Sequence, residues 1–428
     1  MKSITESIKL VPKRHEEDEL FDVKDWGYEN AQKVRAFHRS FPEYEPTPLV
    51  NLENLASDLG IKALYVKDES YRFGLNAFKV LGGSYAIGNY IAQQMNKKIA
   101  ELPYELMMSD EVREKIKDIT FVTATDGNHG RGVAWTANRL GAPCVVYMPK
   151  GSAAERLANI QSLGAQASIT DLNYDDAVRL ANQGVEEHGW VLVQDTAWEG
   201  YEDIPKWIMQ GYTTMALEAA EQLGDVKPTH IFLQAGVGAL AGGVTAFFAD
   251  YYGEDRPLIT IVEPDKADCL YRTVRADDGE LHFVTGDMDS EMAGLCCGEP
   301  CTIGWNILKD YADRFVSVPD AVTELGMQRL GRPIGDDTKI ISGESGAVTT
   351  GLVCLAMKDD NRRWLRESLR LNKDSVVLCF STEGDTDREN YRRILAESDT
   401  DCWNYRRIPA EAEIDRENSR GTTKNAVE

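Results

Sequence analysis

The residue with the clearest chemical potential in this sequence is Lys79. It follows Phe78 and precedes Val80 and Leu81, so its neighbours along the chain are apolar. An amine in poorly solvating surroundings favours its neutral form, which can attack an aldehyde. The pattern therefore predicts an uncharged, nucleophilic lysine. The alternative is a surface lysine whose charged end reaches water.

Two segments with glycine support the nucleophilic interpretation because each could bind an anion. Residues 125–129 follow the apolar run 119–124 and precede a predicted helix over 131–140. Residues 234–243 form a glycine loop between the apolar run 231–233 and a second predicted helix. A loop between a strand and a helix presents free backbone N–H groups and the positive end of a helix dipole. We expect the first segment to bind a carboxylate and the second a phosphate, although tight packing or a dinucleotide would also explain the glycines.

Taken in chain order, these segments resemble the fold-type II (tryptophan synthase β-like) pyridoxal-phosphate enzymes and, within them, the diaminopropionate ammonia-lyases. The resemblance is carried by motifs along nearly the whole chain, at 46–49, 67–70, 76–79, 128, 194–198, 234–243, 292–295 and 381–387. It implies an α/β fold with two domains, each a mostly parallel sheet flanked by helices, and an active site between them. It also implies pyridoxal 5'-phosphate as the cofactor and an amino acid as the small-molecule substrate.

The resemblance gives each segment a role. Lys79 is implied to carry the cofactor, Asn128 to hydrogen-bond its ring hydroxyl, and Ser381 to face its pyridine nitrogen, with Thr382 as the alternative to Ser381. The cofactor phosphate is assigned to residues of the glycine loop, namely Gly236, Val237, Gly238, Ala239, Leu240 and Gly242. The substrate carboxylate is assigned to the other anion-binding loop, namely Thr125, Asp126, Gly127, Asn128 and His129.

A hydroxyl group at the pyridine nitrogen has a consequence for the reaction. A neutral hydroxyl does not stabilise a protonated pyridine as a carboxylate does, so the ring is a weaker electron sink and prompt loss of a β leaving group is favoured. The expected reaction is α,β-elimination of 2,3-diaminopropionate, in its D and L isomers, to pyruvate and two ammonia. A serine or threonine dehydratase, or a cysteine-type β-eliminating lyase, of the same fold remains the alternative.

Two aspartates carry the narrower assignment. Asp126 stands where the related dehydratases usually have serine, and a carboxylate beside a bound substrate carboxylate is costly unless a cation, such as a second substrate amine, offsets it. Asp195 follows the strand-like run 191–193, and ligands bind at the carboxyl ends of strands in open α/β sheets. The resemblance implies Asp126 as the base for the D-isomer and Asp195 or Lys79 for the L-isomer. Each aspartate could instead be only a turn or cap residue.

Strand-like and helix-like segments alternate along the chain in the βαβ manner. We interpret residues 118–198 as a small domain inserted into a large domain formed by 1–117 and 199–428. A capping box, Ser152 with Glu155, predicts the start of one helix of the small domain. The strands predicted for the small domain are 119–124, 144–148, 167–169 and 191–193, and those for the large domain include 231–233, 258–262, 315–318 and 375–378.

Length, composition and charge agree with this interpretation. A chain of 428 residues with 43% apolar residues is long enough for two domains. Its net charge of −23 argues against nucleic acid or an anionic membrane as a partner. The charged first twenty residues lack the apolar core of a signal peptide, so a cytoplasmic location is predicted. The resemblance suggests a homodimer, and residues 410–428 are predicted to be loosely ordered or to reach over a partner subunit.

Cysteines and one acidic residue leave further alternatives. Cys296, Cys297 and Cys301 lack the spacing and the nearby histidines of a zinc site, so no metal is expected. Reduced thiols are expected, with a bridge from Cys269 to Cys296 or Cys297 left open. Glu263 follows the predicted strand 258–262, where nicotinamide-binding folds place an acidic residue, so an oxidoreductase or a ligand-sensing module remains a rival.

Overall fold

The computed structural model describes residues 8–13, 19–397 and 413–414. The strands are β1 (Lys9–Pro12), β2 (Leu49–Asn51), β3 (Ala63–Asp68), β4 (Phe121–Ala124), β5 (Cys144–Met148), β6 (Gln166–Ile169), β7 (Val191–Leu192), β8 (His230–Gln234), β9 (Leu258–Pro264), β10 (Arg314–Val318), β11 (Val376–Ser381) and β12 (Glu413–Ile414). The predicted tail 410–428 lies outside the described residues, except for 413 and 414.

Helices cover most of the chain between these strands. They are α1 (Tyr28–Arg39), α2 (Glu53–Leu59), α3 (Val80–Gln94), α4 (Tyr104–Met107), α5 (Asp110–Ile116), α6 (Asn128–Leu140), α7 (Ala154–Gln161), α8 (Tyr174–His188), α9 (Asp203–Leu223), α10 (Ala239–Tyr252), α11 (Cys269–Ala276), α12 (Thr302–Tyr311), α13 (Asp320–Gly331), α14 (Glu344–Lys358), α15 (Arg363–Ser368) and α16 (Arg388–Ala396). In the described part of the chain, none of them has the length and hydrophobicity needed to cross a bilayer.

The strands form a large and a small sheet. The large sheet has the order β12-β1-β10-β9-β8-β11-β3-β2. Its strands pair in parallel from β10 to β3, whereas β1 and β2 pair antiparallel with β10 and β3. The small sheet, β6-β5-β4-β7, is parallel throughout. The fold is therefore the expected α/β arrangement of two mostly parallel sheets flanked by helices.

The side chains of the central strands are apolar on both faces of the large sheet, which is why helices cover both faces. On β8, Ile231 and Leu233 belong to one buried apolar cluster, whereas Phe232 belongs to a second cluster. Successive side chains of a strand point to opposite faces, and parallel sheets are buried on both. The polar groups of this sheet that can meet a ligand are therefore concentrated at the strand ends.

Close contact between α3 and α6 places the small sheet beside the large one. A Cβ atom on Gly132 of α6 would lie 2.8 Å from the Cα atom of Val80 in α3, a distance that real Cβ atoms do not show. Only glycine permits this approach. Lys79, directly before α3, is thereby brought next to the loop that precedes α6.

The predicted strands of both sheets are present with slightly different bounds, but two helix starts differ from expectation. The helix predicted over 131–140 begins at Asn128, so part of the anion-binding loop is its first turn. The predicted capping box is wrong, because the Ser152 hydroxyl donates to the Pro149 carbonyl and the helix begins at Ala154. Glu155 instead accepts a hydrogen bond from the backbone N–H of Arg388, the first residue of α16.

Candidate active site

A cavity opens where the carboxyl ends of strands from the two sheets face each other. Loops after β4 and β7 of the small sheet and after β8 and β11 of the large sheet line it. Most of the predicted site residues are among its lining residues, namely Lys79, Thr125, Asp126, Asn128, His129, Asp195, Gly236, Val237, Gly238, Ala239 and Leu240. Residues that are far apart in the sequence are thus brought together as expected.

Three of the predicted site residues are not among those that line the cavity. Gly127 packs on a buried arginine, since a Cβ there would lie 2.9 Å from the Cδ atom of Arg156. Gly242 lies inside α10, where a Cβ would come within 2.9 Å of the Cα atom of Gly304. These two glycines serve packing between elements, which a glycine pattern alone does not distinguish from ligand binding.

The third of these residues is Ser381, whose side chain points away from the cavity. It is the last residue of β11, and its hydroxyl donates to the Ser342 hydroxyl at 2.8 Å. Thr382 lines the cavity instead, and its hydroxyl accepts a hydrogen bond from Gln234 at 2.7 Å. The alternation of side chains along an extended segment explains the difference of one residue. Of the two hydroxyl residues that the sequence left open, Thr382 is therefore the one that lines the cavity.

The structure corrects the expected charge state of Lys79. Val80 and Leu81 are fully buried in the core, whereas the Lys79 amine forms an ion pair with Asp195. Burial alone would lower the pKa of Lys79, but attraction to Asp195 outweighs it and raises the pKa above its usual value. The amine is therefore charged in the free protein. Its protonation state is set by Asp195, which is distant in the sequence, and not by its apolar neighbours along the chain.

Asp195 is held by groups from three elements. Besides Lys79, the hydroxyl of Tyr174 donates to its Oδ1 atom at 3.1 Å, and His129 Nδ1 lies 4.0 Å from its Oδ2 atom. Burial would raise the pKa of Asp195, but the charge of Lys79 and the hydrogen bonds from Lys79 and Tyr174 more than offset that effect and lower it. Sequence reasoning missed Tyr174, because no local pattern shows that the start of α8 meets the loop after β7.

His129 is held as a neutral ring beside this carboxylate. Its Nε2 atom lies 2.7 Å from the carbonyl of Val193, so that nitrogen carries the proton. Burial lowers the pKa of His129. Its buried Nδ1 atom has no hydrogen-bond partner among the described residues, so it can serve as an acceptor at the cavity wall.

Asp126 has a built-in cationic partner that sequence reasoning missed. The Nη1 atom of Arg156, a residue of α7, donates to its Oδ2 atom at 2.8 Å. The Arg156 side chain is only 4% exposed. Since the protein itself offsets the charge of Asp126, a second amine on the substrate is not needed for that purpose. The charge argument for a diamino acid is weaker than the sequence suggested.

Two glutamates add negative charge near this pair. Glu383 lines the cavity and accepts hydrogen bonds from the side chain of Asn128 and from the backbone N–H of Ser345, the latter at 3.0 Å. Glu344, at the start of α14, lies 3.7 Å from Arg156. Burial, together with repulsion from Glu383, raises the pKa of Glu344 to about 7 despite the attraction of Arg156. Asn128 is thus placed at the cavity by Glu383, which sequence reasoning did not single out.

The glycine loop has the donors and the shape that a phosphate group requires. The first backbone hydrogen bond of α10 runs from Gly242 N to Gly238 O at 2.8 Å, so the N–H groups of the preceding turn are available. Gly238 has a φ of +95°, a conformation that favours glycine. A Cβ on Gly236 would lie 3.2 Å from the backbone of Leu295. Phosphate binding at such a helix start is favourable.

Other polar atoms at the cavity fit the ring of pyridoxal phosphate. The Oε1 atom of Gln234 and the Oγ atom of Ser345 are buried, line the cavity and have no hydrogen-bond partner among the described residues. Buried polar groups normally find partners. Together with an amine at Lys79 and a hydroxyl at Thr382, they form a donor and acceptor set that suits an aldehyde-bearing pyridine ring with a phosphate arm.

The rival reading that placed a nicotinamide here fails on Glu263. This residue is fully buried and accepts hydrogen bonds from the backbone N–H groups of Leu270 and Tyr271, at 2.9 and 2.7 Å. It holds the start of α11 and is not presented to a ribose.

Within the described ranges, Cys269, Cys296 and Cys297 are free thiols, so the disulfide from Cys269 to Cys296 or Cys297 is not formed. No group of three or more potential metal ligands was found in the same residues.

Comparison with known proteins agrees with this geometry. Residues 41–381 match the model of the family described as pyridoxal-phosphate dependent enzyme. The chain is 53% identical over 369 residues to diaminopropionate ammonia-lyase of Escherichia coli (strain K12), covering 86% of this chain and 91% of that protein. Two crystal structures of the Escherichia coli enzyme are similar, each at 47% identity and covering 93% of this chain and 99% of theirs. The complex with D-serine has a TM-score of 0.85 and the complex with an aminoacrylate-PLP azomethine reaction intermediate 0.84. The chain belongs to the pyridoxal-phosphate dependent enzymes and, within them, to the diaminopropionate ammonia-lyase family.

Proposed function

We propose that this chain catalyses α,β-elimination of 2,3-diaminopropionate, consuming one water and giving pyruvate and two ammonia. The observation that carries the proposal is a single cavity lined by two carboxylates with separate partners, Asp195 paired with Lys79 and Asp126 paired with Arg156. Two separate carboxylates suit removal of the Cα proton from either face of an amino acid. The similarity to diaminopropionate ammonia-lyases supports the choice of substrate.

Binding and orientation are assigned to groups at the strand ends. Lys79 is the attachment point of pyridoxal phosphate, and the N–H groups at the start of α10 hold its phosphate. Asn128 would hydrogen-bond the ring hydroxyl, and Thr382 would offer its neutral hydroxyl to the pyridine nitrogen. When bound, the cofactor supplies an electron sink for the pair released from the Cα–H bond. The N–H groups in the first turn of α6, from Asn128 onward, hold the substrate carboxylate.

Proton transfer is assigned to three side chains. Asp126 takes the Cα proton of the D-isomer and Asp195 that of the L-isomer, since they follow different strands, β4 and β7, and have separate partners. Lys79 protonates the leaving β-amine, because Asp195 keeps its amine charged. His129 stays neutral, as its lowered pKa requires, and its Nδ1 atom accepts from a group in the cavity. Each proton transfer in the proposed reaction is thus assigned to one side chain.

Activity on both enantiomers tests this assignment. Asp126→Asn should reduce turnover of D-2,3-diaminopropionate by about 100-fold or more while sparing the L-isomer, because general base catalysis contributes about 100- to 10,000-fold. Asp195→Asn should lower turnover of the L-isomer more than that of the D-isomer, and turnover of both should fall because Lys79 is then less fully charged for protonation of the leaving amine. Pyruvate release with D-serine, L-serine and L-threonine serves as the control for the dehydratase alternative. Faster pyruvate release from serine or threonine than from 2,3-diaminopropionate would contradict the proposed substrate.

The proposal also includes the division of the chain into domains and the assembly and location of the enzyme. Residues 118–198 form the small domain, since all four strands of the small sheet lie within them.

The enzyme acts as a homodimer in the cytoplasm. The free thiols of the described cysteines agree with a reducing compartment. Light scattering of the purified protein tests the homodimer, and a monomeric mass at enzyme concentrations used in assays would exclude it.

A further inference from the structure

The two proposed bases are held by different neighbours, and one of these neighbours has no role in the mechanism above. Asp195 contacts Lys79 and the Tyr174 hydroxyl, both of which lie at the cavity. Asp126 is held instead by Arg156, at 2.8 Å through its Oδ2 atom. Arg156 comes from α7 and is not among the residues that line the cavity. Its contact with Asp126 therefore acts from behind the cavity wall.

Arg156 is fixed in place by contacts at its far end and along its stem. Its Nη2 atom lies 3.7 Å from the Oε2 atom of Glu344, and Asn390 donates to the other oxygen of Glu344 at 2.7 Å. Glycine at position 127 leaves the space that the Arg156 stem fills, since a Cβ there would lie 2.9 Å from Cδ. The guanidinium is thus held by one hydrogen bond to Asp126 and a longer ion pair to Glu344, whereas its buried Nε atom has no hydrogen-bond partner among the described residues.

This arrangement orients the carboxylate of Asp126. The Nη1 contact occupies Oδ2, so Oδ1 is the oxygen that can turn toward a substrate. A base must lie within hydrogen-bond reach of the proton that it removes, and an error of about 1 Å can cost about 100-fold in rate. We propose that Arg156 is the positioning residue that holds Asp126 for proton abstraction from the D-isomer. This inference rests on the proposed function, in which Asp126 is the base for that isomer.

Kinetics of Arg156 variants on the two enantiomers test the inference. Arg156→Gln should lower kcat for D-2,3-diaminopropionate by about 10- to 100-fold, since the carboxylate loses its fixed position. The kcat for the L-isomer should stay within about twofold, whereas KM should change alike for both isomers. Arg156→Lys keeps the charge but cannot reach both carboxylates, so it should restore part of the lost D activity. A purely structural role would lower both activities together.

Tyr174→Phe provides the matched variant for Asp195. It removes the hydroxyl that holds Asp195 and should lower kcat for the L-isomer more than for the D-isomer. Cofactor absorbance and thermal unfolding of each variant show that the fold is retained. Should Arg156→Gln fail to fold, Glu344→Gln loosens the far end of the guanidinium and should still lower D turnover more than L turnover.

Two outcomes separate failure of this inference from failure of the proposed function. Equal losses on both enantiomers in folded Arg156→Gln, alongside a D-selective loss in Asp126→Asn, would overturn the positioning role alone. Equal losses in Asp126→Asn itself would overturn the assignment of the base, and with it the inference. A D-selective loss in both variants, with recovery in Arg156→Lys, supports both.

Discussion

At the scale of single residues, partners across the fold decide the chemistry. Lys79 was expected to be neutral from its apolar neighbours in the chain, yet its amine meets Asp195, which lies 116 positions further along the sequence. Asp126 was expected to need a cation from the substrate, yet Arg156 supplies one. Residue type and chain order identified Lys79, Asp126 and Asp195 as candidates. Their charge states depend on distances that no sequence pattern contains.

Removal of Asp195 should make Lys79 more reactive. In Asp195→Asn, burial acts on the amine without the opposing carboxylate, so the pKa of Lys79 should fall. A lower pKa gives more neutral amine at a given pH and faster attack on an aldehyde. The measurement is the rate at which cofactor-free protein reacts with pyridoxal phosphate between pH 6 and 10, followed by absorbance.

The sign of the pH dependence separates this cause from a general loss of structure. The wild-type rate should keep rising to higher pH than the variant rate, because its amine loses the proton later. Tyr174→Phe, which keeps the carboxylate, is the control and should follow the wild type. A variant that reacts more slowly than the wild type throughout this range would show that Asp195 does not hold the amine in its charged form.

At the scale of helices and strands, regular patterns predicted the elements, and contacts between elements limited what could be foreseen. The strands of the small sheet and the central strands of the large sheet follow from apolar runs bounded by glycine or polar residues. The capping box predicted at Ser152 is absent because the Ser152 hydroxyl donates to the carbonyl of Pro149. Gly127 and Gly242 were assigned to ligands, yet they allow Arg156 and Gly304 to approach. Close packing between elements leaves no local signal in the sequence.

Contact between α3 and α6 should be sensitive to one methyl group. In an isolated helix alanine is preferred to glycine by about 1 kcal/mol. In Gly132→Ala the new methyl would overlap the backbone of Val80, so we expect a loss of about 1–3 kcal/mol in the free energy of unfolding. Because Val80 follows Lys79, cofactor affinity should fall as well. Urea unfolding and cofactor titration measure the two effects.

A substitution on the exposed side of the same helix is the control. Asn138 is exposed on α6, and Asn138→Ala should change the free energy of unfolding by about 0.5 kcal/mol or less. If Gly132→Ala were as stable as Asn138→Ala, the two helices would not be in the close contact described here.

At the scale of the whole molecule, the cavity is built from both sheets, so a ligand that fills it should stabilise both. In the proposed site the phosphate lies at α10 beside the large sheet, whereas the ring and the substrate carboxylate lie at α6 beside the small sheet. A ligand that binds only the folded chain stabilises it by about 2.7 kcal/mol at 100 times its dissociation constant. The helices that become more stable when the ligand binds are therefore the ones that form its site.

Hydrogen exchange can follow this in the cofactor-free protein. Pyridoxal phosphate should slow exchange in both α6 and α10, since the starts of both helices form the proposed site. Inorganic phosphate, the group proposed to bind the loop before α10, should slow exchange in α10 more than in α6, and it is therefore the matched control. Protection of α10 alone by both ligands would contradict a site shared between the sheets. Because opening free energies vary locally across a structure, exchange measured peptide by peptide resolves the two helices.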